Sequence, residues 1–371
     1  MSKPNDKRAK AASQPTPREL GYRMPAEWEP HHSTWLGWPQ NRQDWPGKFE
    51  PIPWVYAEMV RHLARVEHVD MILRDEATRG RARRILQDAG ADLAHVKFHL
   101  WPTDRGWTRD SGPIFLVRKS KGEPLATANW RFNAWAKYSN WRHDRLLPQR
   151  IGQKLKLPKF VPMVQHNGRP YHVVLEGGSI DVNGRGLMLT TEECLLSRVQ
   201  QRNPGLKKSE LERIFSDYLG VEKVIWLDRG IAGDDTHGHV DDISRFVAPD
   251  TILTAVERNR GDSNYAPLQE NLRRLRNATD LDGRRFKVIA LPLPRPVIFQ
   301  GQRLPASYAN FYIANGLVLV PTFNDPNDRI ALNTIAEVLP RHEVVGIHCG
   351  DFIWGLGAIH CATQQQPAVR S

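Results

Sequence analysis

The stretch Ile180–Thr190, "IDVNGRGLMLT", sets Asn183-Gly184 between two runs of strand-forming residues. Asn-Gly in that setting is a strong short-range signal for a β-hairpin, because both residues tolerate the left-handed backbone of a tight turn. The pattern returns at Phe311–Pro321, "FYIANGLVLVP", around Asn315-Gly316, and at Arg245–Val256, "RFVAPDTILTAV", around Pro249-Asp250. Working outward, "GPIFLV" begins at Gly112, "GGSIDV" at Gly177, "DDISRFV" at Asp241 and "ANFYIA" at Ala309, a spacing of roughly 65 residues that marks an internal repeat.

Each hairpin is followed by a helix and a further strand. In "KKSELERIFSDYLGVEKVIWL", Ser209 and Glu212 have capping-box spacing, and Leu211, Ile214, Phe215, Tyr218 and Leu219 fall on one helical face. Val224–Leu227 is the next strand. "DRIALNTIAEVLP" and then "EVVGIHC" repeat that order, and "STWLGWP" with "WVYAEMVRHLARV" opens a fifth unit. Five such units predict a single α/β domain, a five-bladed pseudo-symmetric α/β propeller whose radial closure removes sheet edges. The alternative is a doubly wound parallel sheet, which the antiparallel hairpins disfavour.

The chain has 371 residues, 40% of them apolar, enough for a large core. Three cysteines are too few for a disulfide framework, which points to a reducing, cytoplasmic setting. No apolar run reaches membrane-spanning length. Residues 1–20, "MSKPNDKRAKAASQPTPREL", lack the apolar middle of a secretion signal and predict a flexible basic tail ahead of a catalytic domain at 21–371. The net charge of +11 is scattered over helix faces such as "RGRARRILQDAG", so neither nucleic acid nor membrane is expected as a partner.

The chemistry lies just before each hairpin. "GWTRDSGP" carries Trp107 and Asp110; "LEGGS" carries Glu176; "THGHVDDIS" carries His237, His239, Asp241 and Asp242; "LPASYANF" carries Ser307 and Asn310. Units related by rotation would bring these positions together at an axis, and clustered carboxylates suit a cation. A metal is one option, with His237, His239 and Asp241, or His348, Cys349, His360 and Cys361, as ligands. Against it, C-x-x-C and H-E-x-x-H are missing, and adjacent His-Cys pairs on a strand point to opposite faces. A guanidinium is the better match, since paired carboxylates meet its planar donor fork. Its carbon is a poor electrophile and calls for a thiolate nucleophile, with a histidine to move protons. His239 and Asp241, two apart, would share one face of a strand.

Five motifs in order, "MPAEWEPHHSTWLGWP", "WTRDSGPIFLV", "LEGGSIDVNGRGLMLTTEECLL", "GDDTHGHVDDISRFV" and "GLGAIHCATQQQP", resemble those of the agmatine deiminases (agmatine iminohydrolases) and their bacterial peptidyl-arginine deiminase-type relatives. The resemblance runs from about Met24 to Pro367. It implies the pentein-like fold of the guanidino-group-modifying enzymes, a five-bladed α/β propeller. It also implies Cys361 as nucleophile, His239 as acid/base, Asp110 and Asp241 as the guanidinium clamp, Glu176 as the acid that orients His239, and Trp107 as a wall of the substrate channel. Two departures are Leu356 and Ala358, where the family's turn has more glycine, and His32-Ser33 after "EPH".

The residues around the three cysteines agree. Cys361 follows Gly355 and Gly357 and precedes the polar run Thr363–Gln366, which places it at a strand–loop junction open to substrate. Cys349 ends an apolar strand, and Cys194 likewise fits a buried role. Gly355-x-Gly357-x-x-His360 lacks the third glycine of a dinucleotide loop. The expected function is therefore hydrolysis of agmatine to N-carbamoylputrescine and ammonia through a cysteine amidino-thioether, with no cofactor or metal. The alternative substrate is free or peptidyl arginine, with Arg245 or Arg258 available for its carboxylate; a catalytically silent, basic binding protein is the reading from another class. The family resemblance makes a homodimer plausible. The Cys361 thiolate could form before the cationic substrate arrives or only with it.

Overall fold

Both Asn-Gly segments turn a hairpin. Asp181–Val182 pairs antiparallel with Leu187–Thr191, and Tyr312–Ala314 with Leu317–Thr322. Pro249-Asp250 likewise joins Ser244–Ala248 to Thr251–Val256. The second strand of each hairpin then takes a parallel neighbour, which requires a crossover. The helices Lys208–Leu219, Tyr265–Asn277 and Asn327–Val338 supply it, leading to Lys223–Leu227, Lys287–Pro292 and Glu343–His348. Ile114–Val117, Leu125–Ala128 and Lys159–Phe160 form a fourth sheet of the same order, with the helix Leu147–Leu155 as crossover.

The fifth unit is assembled from the two ends of the chain. His31–Gly37 pairs antiparallel with Thr363–Pro367 and, beyond the helix Ile52–Leu63, parallel with His68–Leu73, which Val96–Leu100 extends. The polar run Thr363–Gln366 is thus a buried strand, at most 6% exposed, and not an open junction. Each amide finds a partner inside the fold, although Gln364 Oε1 has none: Trp35 Nε1 donates to Gln366 Oε1 (3.0 Å), Arg109 Nη1 to Gln365 Oε1 (2.6 Å), and Gln364 Nε2 to the Pro113 carbonyl (3.0 Å).

The computed structural model describes residues 15–119 and 122–369, a single α/β domain. Among the described residues no sheet closes on itself, so the closure expected to remove sheet edges is not what joins the units. One hairpin and one crossover provide only three strands in four of the units, and the fifth has four; side-chain packing links the units. The largest apolar cluster mixes the helix Ile52–Leu63 with Tyr308–Val320 and Phe352–Ala362. A doubly wound sheet is excluded, because every three- or four-stranded sheet contains an antiparallel pair. Among the described residues, no helix is long and apolar enough to cross a membrane.

Two local expectations shift. The helix at 208–219 is capped two residues earlier than Ser209 suggests: Glu210 Oε2 accepts the Lys207 N–H at 2.8 Å, while Glu212 accepts Trp226 Nε1–H at 2.8 Å. Its face is as expected, with Leu211, Ile214, Phe215 and Leu219 buried. Of the basic tail assigned to 1–20, residues 1–14 lie outside the described residues. The remainder is tied down, with the Arg18 N–H on the Asp217 carbonyl (3.0 Å) and turns through Gly21.

Candidate active site

The residues that precede the first strand of each unit converge. Asp110 lies in the helical turn Thr108–Ser111, Glu176 leads into the turn Gly177–Ser179, Asp241 and Asp242 lie in Val240–Asp242, Asn310 precedes Tyr312–Ala314, and Cys361 lies in Ile359–Ala362. His239 is at their centre. Its Nδ1 is 3.9 Å from both Asp110 Oδ1 and Asp241 Oδ1, and its Nε2 is 3.7 Å from Glu176 Oε2. Cys361 Sγ is 3.6 Å from Asp241 Oδ2 and accepts Asn310 Nδ2–H at 3.1 Å. Asn310 also donates to Asp242 Oδ1 at 2.9 Å.

The local backbone explains this convergence. His239 and Asp241 share the site from a 3₁₀ turn, not a strand, and Asp234 shapes the approach by accepting the N–H groups of Thr236 (2.8 Å), Gly238 (2.7 Å) and His239 (3.0 Å). His360 and Cys361 occupy a helical turn, where neighbours lie about 100° apart instead of 180°. Both therefore reach Asp241, with His360 Nδ1 at 2.7 Å from Asp241 Oδ2.

Glycines make the room. A Cβ on Gly178 would lie 2.6 Å from His239 Nδ1, 2.9 Å from Asp110 Oδ1 and 3.0 Å from Asp241 Oδ2. One on Gly357 would lie 2.9 Å from the Trp107 ring and 3.2 Å from Cys361 Cβ, and one on Gly355 would lie 2.6 Å from the Trp45 indole. The glycines of "GLGAIHC" thus admit tryptophans and cradle no nucleotide. Leu356 between them adopts φ +64°, in the left-handed region.

The centre is buried, charged and partly unsatisfied. Asp110 is held by Trp135 Nε1–H at Oδ2 (2.8 Å) and the Gly178 N–H at Oδ1 (2.9 Å), and Glu176 by Arg202 Nε–H at Oε1 (3.1 Å). Glu176 Oε2, Asp241 Oδ1 and both ring nitrogens of His239 are buried with no hydrogen-bond partner among the described residues. Burial pushes the Cys361 thiol well above its usual range, and Asp241, Asp242 and Asp110 push it further. Burial works against a charge on His239, yet Asp110, Cys194 and Glu176 hold the imidazole well above its usual value. Burial raises Asp110 and outweighs the relief from His239, while Asp241 and Glu176 push it further up. Burial opposes ionisation of Glu176 and Asp241 too, but Arg202 and His239 keep Glu176 low, and His360 and His239 keep Asp241 low. Asp242 is pushed well up by burial, then by Asp241 and Asp234.

Above Cys361 and Asp110 a narrow pocket is walled by Trp107, Trp135, Tyr138, Arg105, Asp235 and Leu356. All six anticipated residues, Cys361, His239, Glu176, Asp110, Asp241 and Trp107, belong to this centre or its wall. Of the cations considered for a substrate carboxylate, Arg245 is buried between Glu27 (2.8 Å) and Asp181 (2.6 Å), and Arg258 does not line the pocket. Arg105 does line it but pairs with Asp44 and donates to Asn140 Oδ1 at 3.1 Å. Cys349 is fully buried, and burial raises its thiol.

Two trios have donor atoms within 4.8 Å of one another, Glu176–Cys194–His239 and Asp241–Asp242–Cys361. Both are drawn from the centre just described. The ligand sets suggested by the sequence form no such trio among the described residues: His348 is exposed, and His237 contacts Ser197 Oγ at 3.2 Å. Cys194, expected to be an inert core residue, is buried but packs against His239. Trp135, Arg202 and Glu27 were not legible as site residues, and His360 was legible only as a metal-ligand option. Glu27 and His360 do stand inside recognisable motifs, but nothing in their spacing links them.

A sequence profile of the Porphyromonas-type peptidyl-arginine deiminases matches residues 23–367. The chain belongs to this family. It is similar to the agmatine deiminase of Pseudomonas aeruginosa strain LESB58, with 37% identity over 96% of this chain and 98% of that protein. The agmatine deiminase of Medicago truncatula is 38% identical over 95% of this chain and 98% of its own length. Among solved structures, the agmatine deiminase of Enterococcus faecalis superposes with a TM-score of 0.86 at 31% identity, covering 96% of this chain and 98% of that one. In this member of the Porphyromonas-type family the matched residues span all five of the three- and four-stranded sheets, including the strand Thr363–Pro367.

Proposed function

We propose that the site hydrolyses agmatine to N-carbamoylputrescine and ammonia, and that the five sheets stand as five blades around it, within a catalytic domain that begins near Gly21. The observation that carries this reading is the set of unpartnered acceptors, Glu176 Oε2 and Asp241 Oδ1, buried beside a thiol. Buried carboxylate oxygens without donors are costly unless a cation completes them, and a guanidinium has donors on every edge. The agmatine deiminases to which the chain is similar act on such a substrate by name.

Asp110 and Asp241 hold the guanidinium, and the Cys361 thiolate forms a C–S bond to its central carbon. His239, held by Glu176, gives a proton to the departing nitrogen, and ammonia leaves an amidino-thioether. His239 then takes a proton from water, which attacks the same carbon; the C–S bond breaks and the thiol is restored. The raised thiol favours a thiolate formed when the cationic substrate offsets the carboxylates, its proton leaving to solvent while His239 keeps the proton it will give to the departing nitrogen. Free agmatine is preferred over arginine because each candidate cation is already engaged with carboxylates or lies elsewhere.

Ammonia release from agmatine, arginine and an arginyl peptide tests this, using the wild type, Cys361→Ser and Cys349→Ser, each with and without EDTA. The expected result is agmatine turnover that survives EDTA and Cys349→Ser and falls at least about 10³-fold in Cys361→Ser. Turnover retained in Cys361→Ser, or turnover of arginine alone, would overturn it.

A further inference from the structure

We propose that His360, braced by Glu27, is a positioning residue that fixes the carboxylate of Asp241 and leaves one oxygen aimed at the substrate. The proposal rests on the reading of Asp241 as a guanidinium clamp. His360 is the chain neighbour of Cys361 and is 2% exposed. Its Nδ1 is 2.7 Å from Asp241 Oδ2, and its Nε2 is 2.8 Å from Glu27 Oε2. Carboxylate oxygens only accept, so both contacts are satisfied together when the ring donates from both nitrogens as a cation.

The brace is rigid. Glu27 Oε1 accepts Arg245 Nη2–H at 2.8 Å and the Ile313 N–H at 2.9 Å, and Glu27 Oε2 also accepts Arg109 Nη2–H at 3.2 Å. The His360 backbone N–H donates to Asn310 Oδ1 at 3.0 Å, and its carbonyl accepts Arg109 Nε–H at 3.4 Å. The ring therefore has one orientation. With Oδ2 of Asp241 committed to it, Oδ1 is left buried and unpartnered, 3.9 Å from His239 Nδ1. Asp241 is otherwise faced by Asp110 and Asp242, which disfavour its negative charge, by His239 and Arg245, which favour it, and by the Cys361 thiol 3.6 Å from Oδ2. His360 thus supplies a fixed direction and a compensating charge to a carboxylate that is fully buried.

Steady-state kinetics on agmatine from pH 5 to 9 test this in His360→Asn, His360→Ala and Glu27→Gln, with Asp241→Asn as comparator and thermal melts alongside. Agmatine keeps both positive charges over this range, so an acid limb in kcat/KM reports the enzyme. The Asn amide can reach the position of Nδ1, retaining a neutral hydrogen bond but not the charge. His360→Asn should move the acid limb up by about one pH unit, with kcat little changed at high pH. His360→Ala should also raise KM by about 10-fold or more across the range. Glu27→Gln, which leaves the ring in place, should move the limb in the same direction by less.

Folded His360 variants with an unmoved acid limb and KM within about 2-fold of wild type would overturn the proposal. So would loss of the fold in all three variants, since the contact would then be purely structural. If Asp241→Asn itself binds agmatine normally, the clamp reading fails. If only the His360 and Glu27 variants behave as wild type, the clamp stands and the positioning role falls.

Discussion

Cys361 illustrates how little a side chain's type says about its state. Exposed thiols ionise near pH 8.5, but this one is buried among Asp110, Asp241 and Asp242, all of which raise it. The sign is unambiguous: with the folded-state value above the free value, less thiolate is present at any given pH than in an exposed cysteine. Alkylation of Cys361 by iodoacetamide in the substrate-free enzyme is therefore expected to be slow at pH 7 and to keep rising to pH 10 without levelling. Mass-spectrometric counting against Cys361→Ser checks this, and a plateau below pH 8 would mean that the thiolate is preformed. The sequence singled out Cys361, His239, Glu176, Asp110 and Asp241 as candidates, because each recurs at one corner of a repeat or within a recognisable motif, and the fold gathers them around His239. It did not reveal Arg202 or Trp135, whose roles rest on single contacts with Glu176 and Asp110 across a folded site.

Among the elements, short turns carry the chemistry. Helical and 3₁₀ turns of three or four residues precede the strands and rotate side chains by steps that a strand does not allow, which is why His360 and Cys361 share a face. A methyl group in such a turn has large consequences. Gly178→Ala would place Cβ within 3.0 Å of His239, Asp110 and Asp241. Its kcat/KM is expected to fall by at least about 100-fold, because a displacement near 1 Å is enough to lose productive alignment. Kinetics alongside a thermal melt decide the point: a folded Gly178→Ala enzyme within about 5-fold of wild type would show that the turn can yield.

For the whole molecule, the decisive contact joins the chain's ends. Thr363–Pro367 is the only strand, among the described residues, that pairs antiparallel with His31–Gly37, and it follows directly on the turn that holds Cys361. Truncation after Ala362 would expose that strand's edge and the core beneath it, a loss comparable with a typical folding margin of about 5–15 kcal/mol. The truncated chain is expected to be insoluble or to melt without cooperativity by circular dichroism. A cooperative melt near that of the full chain would refute the view that this pairing completes the fifth unit.

Local chemistry determined the repeating order of hairpin, helix and strand and the place of the corner carboxylates, because turn residues and the periods of 2 and 3.6 act over a few positions; Cys361 was singled out with the family resemblance. Only the tertiary structure decided that the polar run Thr363–Gln366 is a buried strand, and that Glu27, 333 residues from His360, braces the ring touching Asp241. Such pairings join groups with no shared local pattern. They form because a buried charge or amide must find a partner wherever the fold brings one near.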